Sequence, residues 1–285
     1  MSAELALSID GRDVRVAPGT TLREACQLVG TEIPTLCFNP NFTAANACRL
    51  CVVELEGART LVPACSRAVE SGMRIQTASD RVRHSRRLVL ELLGSSVDLS
   101  LAPDLGELLR EYGGRPERFS EAGSATVEQP VKVDNELYVR DYSRCVLCYR
   151  CVQACGVEAQ NTFAIWVSGR GFEARISTEY DAPLPDSACV YCGNCIEVCP
   201  TGALMFKSEF DLRAAGTWDE GRQSTTTTIC SYCGVGCSLD LVVQDNQIVR
   251  VNSPEGNDIT LGNLCIKGRF GHQFVSEPKR RERSS

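Results

Sequence analysis

Apolar residues alternate with others at Leu5, Leu7 and Ile9, and the alternation resumes at Val14 and Val16 after Asp10-Gly11. A period of two broken by a turn signal predicts a β-hairpin. The period then changes. Leu22, Ala25, Cys26 and Val29 stand at i, i+3, i+4 and i+7, the stripe of one buried helix face. Thr21 and Glu24 make a capping-box pattern at its start, and Gly30 supplies a C-terminal stop. With short strands expected around 52–55 and 73–77, hairpin, helix and strands read as a β-grasp domain over residues 1–78.

Residues 80–93 read as a helix ended by Gly94, with Val82, Val89 and Leu92 on one face and Arg81, Arg83, Arg86 and Arg87 elsewhere. A second helix is expected over 105–112, before Gly113-Gly114. Residues 115–136 are rich in Pro, Glu, Ser and Gly and read as a linker, making 79–135 a helical connector between modules. Farther on, 163–175 suggests a hairpin around Gly169-Arg170-Gly171, and a shorter linker over 214–224 precedes a threonine run with strand preference. Residues 239–243 and 248–251 pair as a hairpin turned at Asp245-Asn246, and the run Lys279-Arg280-Arg281-Glu282-Arg283 reads as a solvated tail.

Composition narrows the class. The chain has 285 residues, 43% apolar and 23% charged, the make-up of folded modules. A net charge of −6 argues against a nucleic-acid partner, which calls for a basic patch. No apolar run approaches the ~20 residues of a membrane helix. The opening MSAELALSIDGR lacks the basic and apolar regions of a secretion signal, so a cytoplasmic protein is expected. The chain has 17 cysteines but only 2 histidines, His84 and His272. Tightly spaced cysteines in a reducing compartment point to metal rather than disulfides.

Cys145, Cys148, Cys151 and Cys155 stand as C-x2-C-x2-C-x3-C, and Cys189, Cys192, Cys195 and Cys199 repeat that spacing before Pro200. This is the bacterial two-cluster ferredoxin run, in which a tight loop wraps three corners of a [4Fe–4S] cube and the fourth cysteine reaches the other cube. The rule assigns Cys145, Cys148, Cys151 and Cys199 to one cluster and Cys189, Cys192, Cys195 and Cys155 to the second. Zinc knuckles pair two CxxC units and do not need the third cysteine. The N-terminal set, Cys37-x10-Cys48-x2-Cys51-x13-Cys65, encloses a loop with Ala44, Ala45 and Ala47 and suits a [2Fe–2S] centre, with zinc the alternative on spacing. The last set, Cys230-x2-Cys233-x3-Cys237-x27-Cys265, is enough for a third [4Fe–4S] cluster, and on spacing alone zinc rivals it. Cys26 is left over, a small buried residue of the helix face. No GxGxxG, phosphate loop or nucleophile–base pair appears, so no catalytic residue is expected.

The stretches TLCFNPNFTAANACRLCVVELEG, SRCVLCYRCVQACGVEAQ, ACVYCGNCIEVCPTGAL, CSYCGVGCSLDLVV and NLCIKGRFG, in that order, resemble the N-terminal part of the catalytic subunit of NAD(P)-linked molybdopterin formate dehydrogenases. They are also similar to the large iron–sulfur subunit of complex I and to relay subunits of NAD-reducing hydrogenases. The resemblance implies an α+β chain: a [2Fe–2S] β-grasp domain over 1–78, the connector over 79–135, a two-cluster ferredoxin domain over 136–212 and a small [4Fe–4S] cap domain over 225–285. It favours a cluster over zinc in the last set. The family usually carries a histidine and three cysteines after the first domain, and LELLGSSVDLSLAPDLGELL has none, so that extra cluster is not expected. Lys267, two positions after Cys265, matches a lysine that lies between cluster and pterin in the molybdopterin enzymes.

The chain ends 20 residues after Cys265, so the substrate site is expected in another polypeptide. What the resemblance implies is an electron relay between a molybdenum or tungsten pterin site in a catalytic partner and a flavin-bearing NAD(P) subunit. A complex I-like or hydrogenase relay is the alternative within the class, and a zinc-stabilised scaffold the alternative outside it.

Overall fold

A computed structural model describes residues 4–120, 129–254 and 256–276. The chain divides into two compact units, one of residues 1–127 with 144–149, the other of 128–143 with 150–285. The basic run 279–283 lies outside the described residues. Among the described residues no helix is long and apolar enough to cross a membrane.

The first unit opens with β1 (Leu5–Ile9) and β2 (Arg12–Val16), an antiparallel hairpin in which Leu5 faces Val16 and Ile9 faces Arg12. Asp10 takes φ 50 in the turn, and its carboxylate accepts from the Thr77 amide at 2.8 Å and the Thr77 hydroxyl at 2.6 Å. Helix α1 (Leu22–Leu28) carries the full capping box: Glu24 N donates to Thr21 Oγ1 at 3.2 Å, and Thr21 N donates to the Glu24 carboxylate at 2.7 Å. Such a cap stabilises by about 1 kcal/mol. Strands β3 (Val52–Leu55), β4 (Val62–Pro63) and β5 (Arg74–Gln76) complete a sheet ordered β2-β1-β5-β3-β4, with β1 and β5 parallel and the other pairs antiparallel. Leu7, Ile9, Leu22, Ala25, Cys26, Val53 and Ile75 form its core. The two-residue β4 was not expected from sequence, because its pairing with β3 is decided by the loop that brings Cys65 beside Cys51.

The connector departs from expectation in two ways. Helix α2 (Asp80–Ser96) runs through Gly94 rather than ending there. Its buried side is Val82, Arg86, Leu90 and Glu91, while Leu92 is half exposed. The reason is polar. Arg86 donates to the carbonyl of Val52 at 2.9 Å and to Tyr112 Oη at 2.8 Å, and Glu91 accepts from Arg118 at 2.9 Å and the Arg115 amide at 3.0 Å. Arg86 and Glu91 can be buried because most of their polar atoms find protein partners there, although Arg86 Nε has none. Helix α3 (Pro103–Glu111) follows, and the expected linker begins with a helical turn, α4 (Glu117–Ser120), held by that Arg118–Glu91 pair.

In the second unit β6 (Tyr138–Arg140) pairs antiparallel with β9 (Leu204–Phe206), bringing the segment before the first ferredoxin motif beside the segment after the second. Residues 129–136 are ordered rather than free linker: Lys132 and Arg140 exchange backbone hydrogen bonds of 2.8 and 3.1 Å. Helix α5 (Arg150–Cys155), the hairpin β7 (Trp166–Ser168) with β8 (Arg175–Ser177), and α6 (Asn194–Glu197) fill the interval. After α7 (Lys207–Ala214) most of the 214–224 segment is exposed, and half-buried Trp218 has the guanidinium groups of Arg213 and Arg250 over its ring. A three-stranded antiparallel sheet, β10 (Ser224–Ile229), β11 (Ser238–Gln244) and β12 (Gln247–Asn252), turns at Asp245 and Asn246, both with positive φ. Helices α8 (Ile266–Phe270) and α9 (Gln273–Ser276) close the described chain.

Candidate metal centres

In the first unit the four early cysteines come together as two pairs, Cys37 with Cys48 and Cys51 with Cys65. Cys51 and Cys65 share a hydrogen bond at 3.3 Å between sulfurs, and both are buried, as is Cys37. Cys48 N donates to Cys37 Sγ and Leu50 N to Cys48 Sγ, each at 3.5 Å. Asn46 and Arg49 hold φ of 56 and 58, a left-handed backbone on either side of Cys48. The hydrogen bond from Cys37 pulls Cys48 down to about 6, and that from Cys65 pulls Cys51 down to about 7, while Cys37 and Cys65 are pushed up. Two sulfurs are therefore disposed to be thiolates and two to hold protons, which a metal would displace. Cys26 stands apart on α1, fully buried, its thiol pushed up to about 11 chiefly by burial.

The chain passes from the first unit to the second inside the first ferredoxin motif, since residues 144–149 belong to one and residue 150 onward to the other. Cys148 packs with Leu36, Cys37, Leu50 and Leu90 of the first unit. Arg144 anchors the Cys145 end through a 2.7 Å ion pair to Asp98 and a 2.8 Å bond to Ser100. Cys151 and Cys199 belong to the second unit.

Within that second unit an apolar cavity is lined by Cys155 together with Cys189, Cys192 and Cys195, and by Tyr138, Ile165 and Leu184. Donors surround its sulfurs. Ala164 N donates to Cys155 Sγ at 3.2 Å, Tyr191 N to Cys189 Sγ at 3.4 Å, and Tyr138 Oη lies 3.1 Å from Cys189 Sγ. Positive φ at Tyr191 and Gly193 turns the backbone between the cysteines. Burial pushes Cys195 and Cys192 up, followed for Cys195 by the like charges of the other three and of Cys199. Four thiols pressed together in an apolar pocket, with N–H groups aimed at sulfur, fit a group that replaces their protons with iron and accepts those N–H bonds.

The late cysteines also converge. Burial first and then the charges of Cys230, Cys233 and Cys265 push Cys237 up. Cys230 is buried against Leu239, Val251 and Leu264, whereas Cys233 and Cys265 are exposed. Lys267 is exposed on α8, two residues beyond Cys265. Among the described residues no three His, Cys, Asp or Glu side chains form a single-ion site.

The sequence reading missed Arg269, Gly193 and Tyr138. Arg269 is wholly buried and donates to the carbonyl of Cys192 at 3.1 Å. Nothing in the local IKGRF sequence, which places Arg269 two residues after an exposed lysine, signals that burial.

Comparison with known proteins gives three family profiles: a 2Fe-2S iron-sulfur cluster binding domain over residues 2–80, an NADH-quinone oxidoreductase subunit 3 ferredoxin-like domain over 136–205, and a molybdopterin oxidoreductase Fe4S4 domain over 223–277. The chain thus carries 2Fe–2S and 4Fe–4S domains. It is 34% identical over 97% of its length to the NADPH-Fe(3+) oxidoreductase subunit alpha of Geobacter sulfurreducens. It is 31% identical over 98% to an NADH-quinone oxidoreductase subunit of Rhizobium meliloti. It spans only 32% of each of these relatives. Among solved structures, an NAD+-reducing [NiFe]-hydrogenase chain superposes with a TM-score of 0.62 at 27% identity, covering 72% of this chain and 88% of that one.

Proposed function

We propose that this chain is the iron–sulfur electron-transfer portion of an NAD(P)-linked formate dehydrogenase using molybdenum or tungsten, working in the cytoplasm. The cavity that joins Cys155 to Cys189, Cys192 and Cys195 carries the electron-transfer part of this reading. Those four residues hold one [4Fe–4S] cluster, and Cys145, Cys148, Cys151 and Cys199 hold another. Cys230, Cys233, Cys237 and Cys265 hold a third, and Cys37, Cys48, Cys51 and Cys65 hold a [2Fe–2S] cluster. Bound clusters supply one-electron chemistry. The chain's own part is to line the sulfurs with apolar side chains, to aim the Ala164 and Tyr191 amides at sulfur, and to keep the thiolates in register. Electrons enter at the Cys230–Cys265 end from a pterin-bound metal carried outside these residues, and leave through the β-grasp domain toward a flavin subunit.

The formate assignment rests on the molybdopterin-type profile over 223–277 and on Lys267, whose exposed ammonium follows the exposed Cys265. Beside a cluster and a pterin, that charge stabilises the negative charge added as electrons pass. The test is electron flow from formate to NAD(P) in the anaerobically purified complex. Lys267→Gln slows it while leaving iron content and subunit composition unchanged. The hydrogenase-like fold match favours a second reading, a relay serving a different catalytic partner. Nickel and iron in the co-purifying catalytic chain, in place of molybdenum or tungsten, would select that reading, and a colourless zinc protein would exclude both.

A further inference from the structure

Arg269 is fully buried, yet it touches the ligand segments of two centres. Its backbone N–H donates to the carbonyl of Cys265 at 3.1 Å. Its Nε donates to the carbonyl of Cys192 at 3.1 Å, Nη1 to the carbonyl of Val251 at 2.9 Å, and Nη2 to Asn194 Oδ1 at 3.3 Å. Glu197 is its counter-ion through Nη1. The same Asn194 oxygen accepts from the Leu264 amide at 2.9 Å, so the segment before Cys265 is tied to the helix that follows Cys192. Gly193 makes room for this: its φ is +73, and a Cβ there would stand 2.2 Å from Arg269 Cδ.

The side chain is directional. Its backbone N–H bonds Cys265, while its guanidinium bonds the Cys192 carbonyl and Asn194 on the ferredoxin side and the Val251 carbonyl on the other, and its charge acts on the Cys192 sulfur. A buried cation favours added negative charge nearby, and the effect falls with distance. We propose that Arg269 is a positioning residue that biases electron distribution between the two centres, raising the reduction potential at the Cys155–Cys189–Cys192–Cys195 end relative to the Cys230–Cys265 end. This rests on the cluster assignments above. One electron passes: the C-terminal centre is oxidised by one equivalent and the ferredoxin centre is reduced by one, and no proton or atom moves. Glu197 offsets part of the cation's charge, so the pair sets the bias rather than the arginine alone.

The test is an anaerobic redox titration of the full chain followed by electron paramagnetic resonance, with iron content measured alongside. Arg269→Gln lowers the ferredoxin-centre potential enough to change its reduced-to-oxidised ratio about tenfold, ~59 mV for a one-electron couple, and moves the C-terminal centre less. Arg269→Lys, which keeps the charge, recovers more than half of the shift. Glu197→Gln shifts the same centre upward. Gly193→Ala, which displaces an unchanged arginine, shifts it downward. If Arg269→Gln loses its clusters, the opposite shifts of Glu197→Gln and Gly193→Ala still support the proposal. Shifts of the same sign in those two variants, or none in either, would overturn it and leave Arg269 a purely structural clamp. Wild-type protein without both cubane signals would overturn the cluster assignments and this inference together.

Discussion

The hydroxyl of Tyr138 stands 3.1 Å from Cys189 Sγ, and its ring stacks on Phe270 with 6.2 Å between centroids and 14° between planes. A buried phenol keeps its proton, and burial pushes this one far above the ordinary tyrosine range. Its O–H is therefore available to donate to Cys189 Sγ once that sulfur is a thiolate. Tyr138→Phe preserves the packing and removes one hydrogen bond, a change on the order of 1 kcal/mol. The expected outcome is a lower potential for the centre at Cys189, read by redox titration, with unchanged iron content and a thermal midpoint lowered by a few degrees.

Cys155 shares its cavity with the cysteines of the other motif. Cys155→Ala is therefore expected to damage the cluster of Cys189, Cys192 and Cys195, and Cys199→Ala the cluster of Cys145, Cys148 and Cys151. Cys26→Ala should keep every cluster signal and cost about 1 kcal/mol of stability. Spectra of the three variants decide this; loss of the Cys145 cluster in Cys155→Ala would refute the exchange.

Anaerobically purified chain is expected to hold about 14 iron atoms, from one two-iron and three four-iron clusters. Metal analysis near 18 would reveal a further cluster. Removal of iron by a chelator under reducing conditions should destabilise the second unit, because four thiols crowded around Cys195 lose the group that holds them together.

Arg86 is 3% exposed and bridges α2 to the carbonyl of Val52 and to Tyr112. Arg86→Ala leaves the buried Val52 carbonyl without its donor, removes the bond to the partly buried Tyr112 hydroxyl and opens a void. A loss of about 2–4 kcal/mol is expected in denaturant unfolding of the first unit. The [2Fe–2S] spectrum should be retained at low denaturant.

Local pattern was enough for the elements whose causes are local. The Leu5–Leu7–Ile9 alternation, the Thr21–Glu24 capping box and the Asp245-Asn246 turn each occur where short-range sterics and hydrogen bonding demand them. Cysteine spacing likewise marked three blocks, and each lies within one of the three iron–sulfur domain profiles, because a loop wrapping a cluster has a length the sequence must display. Tertiary structure decided what depends on distant partners. Gly94 stays helical and Arg86 and Glu91 go inside α2 because Val52, Tyr112, Arg115 and Arg118 are there to receive them. Arg269 is buried because Cys192, Asn194, Glu197 and Val251 close around it, and none of them is near it in sequence. A charge becomes buried only when several groups remote in sequence satisfy it at once, and no periodicity along the chain records that agreement.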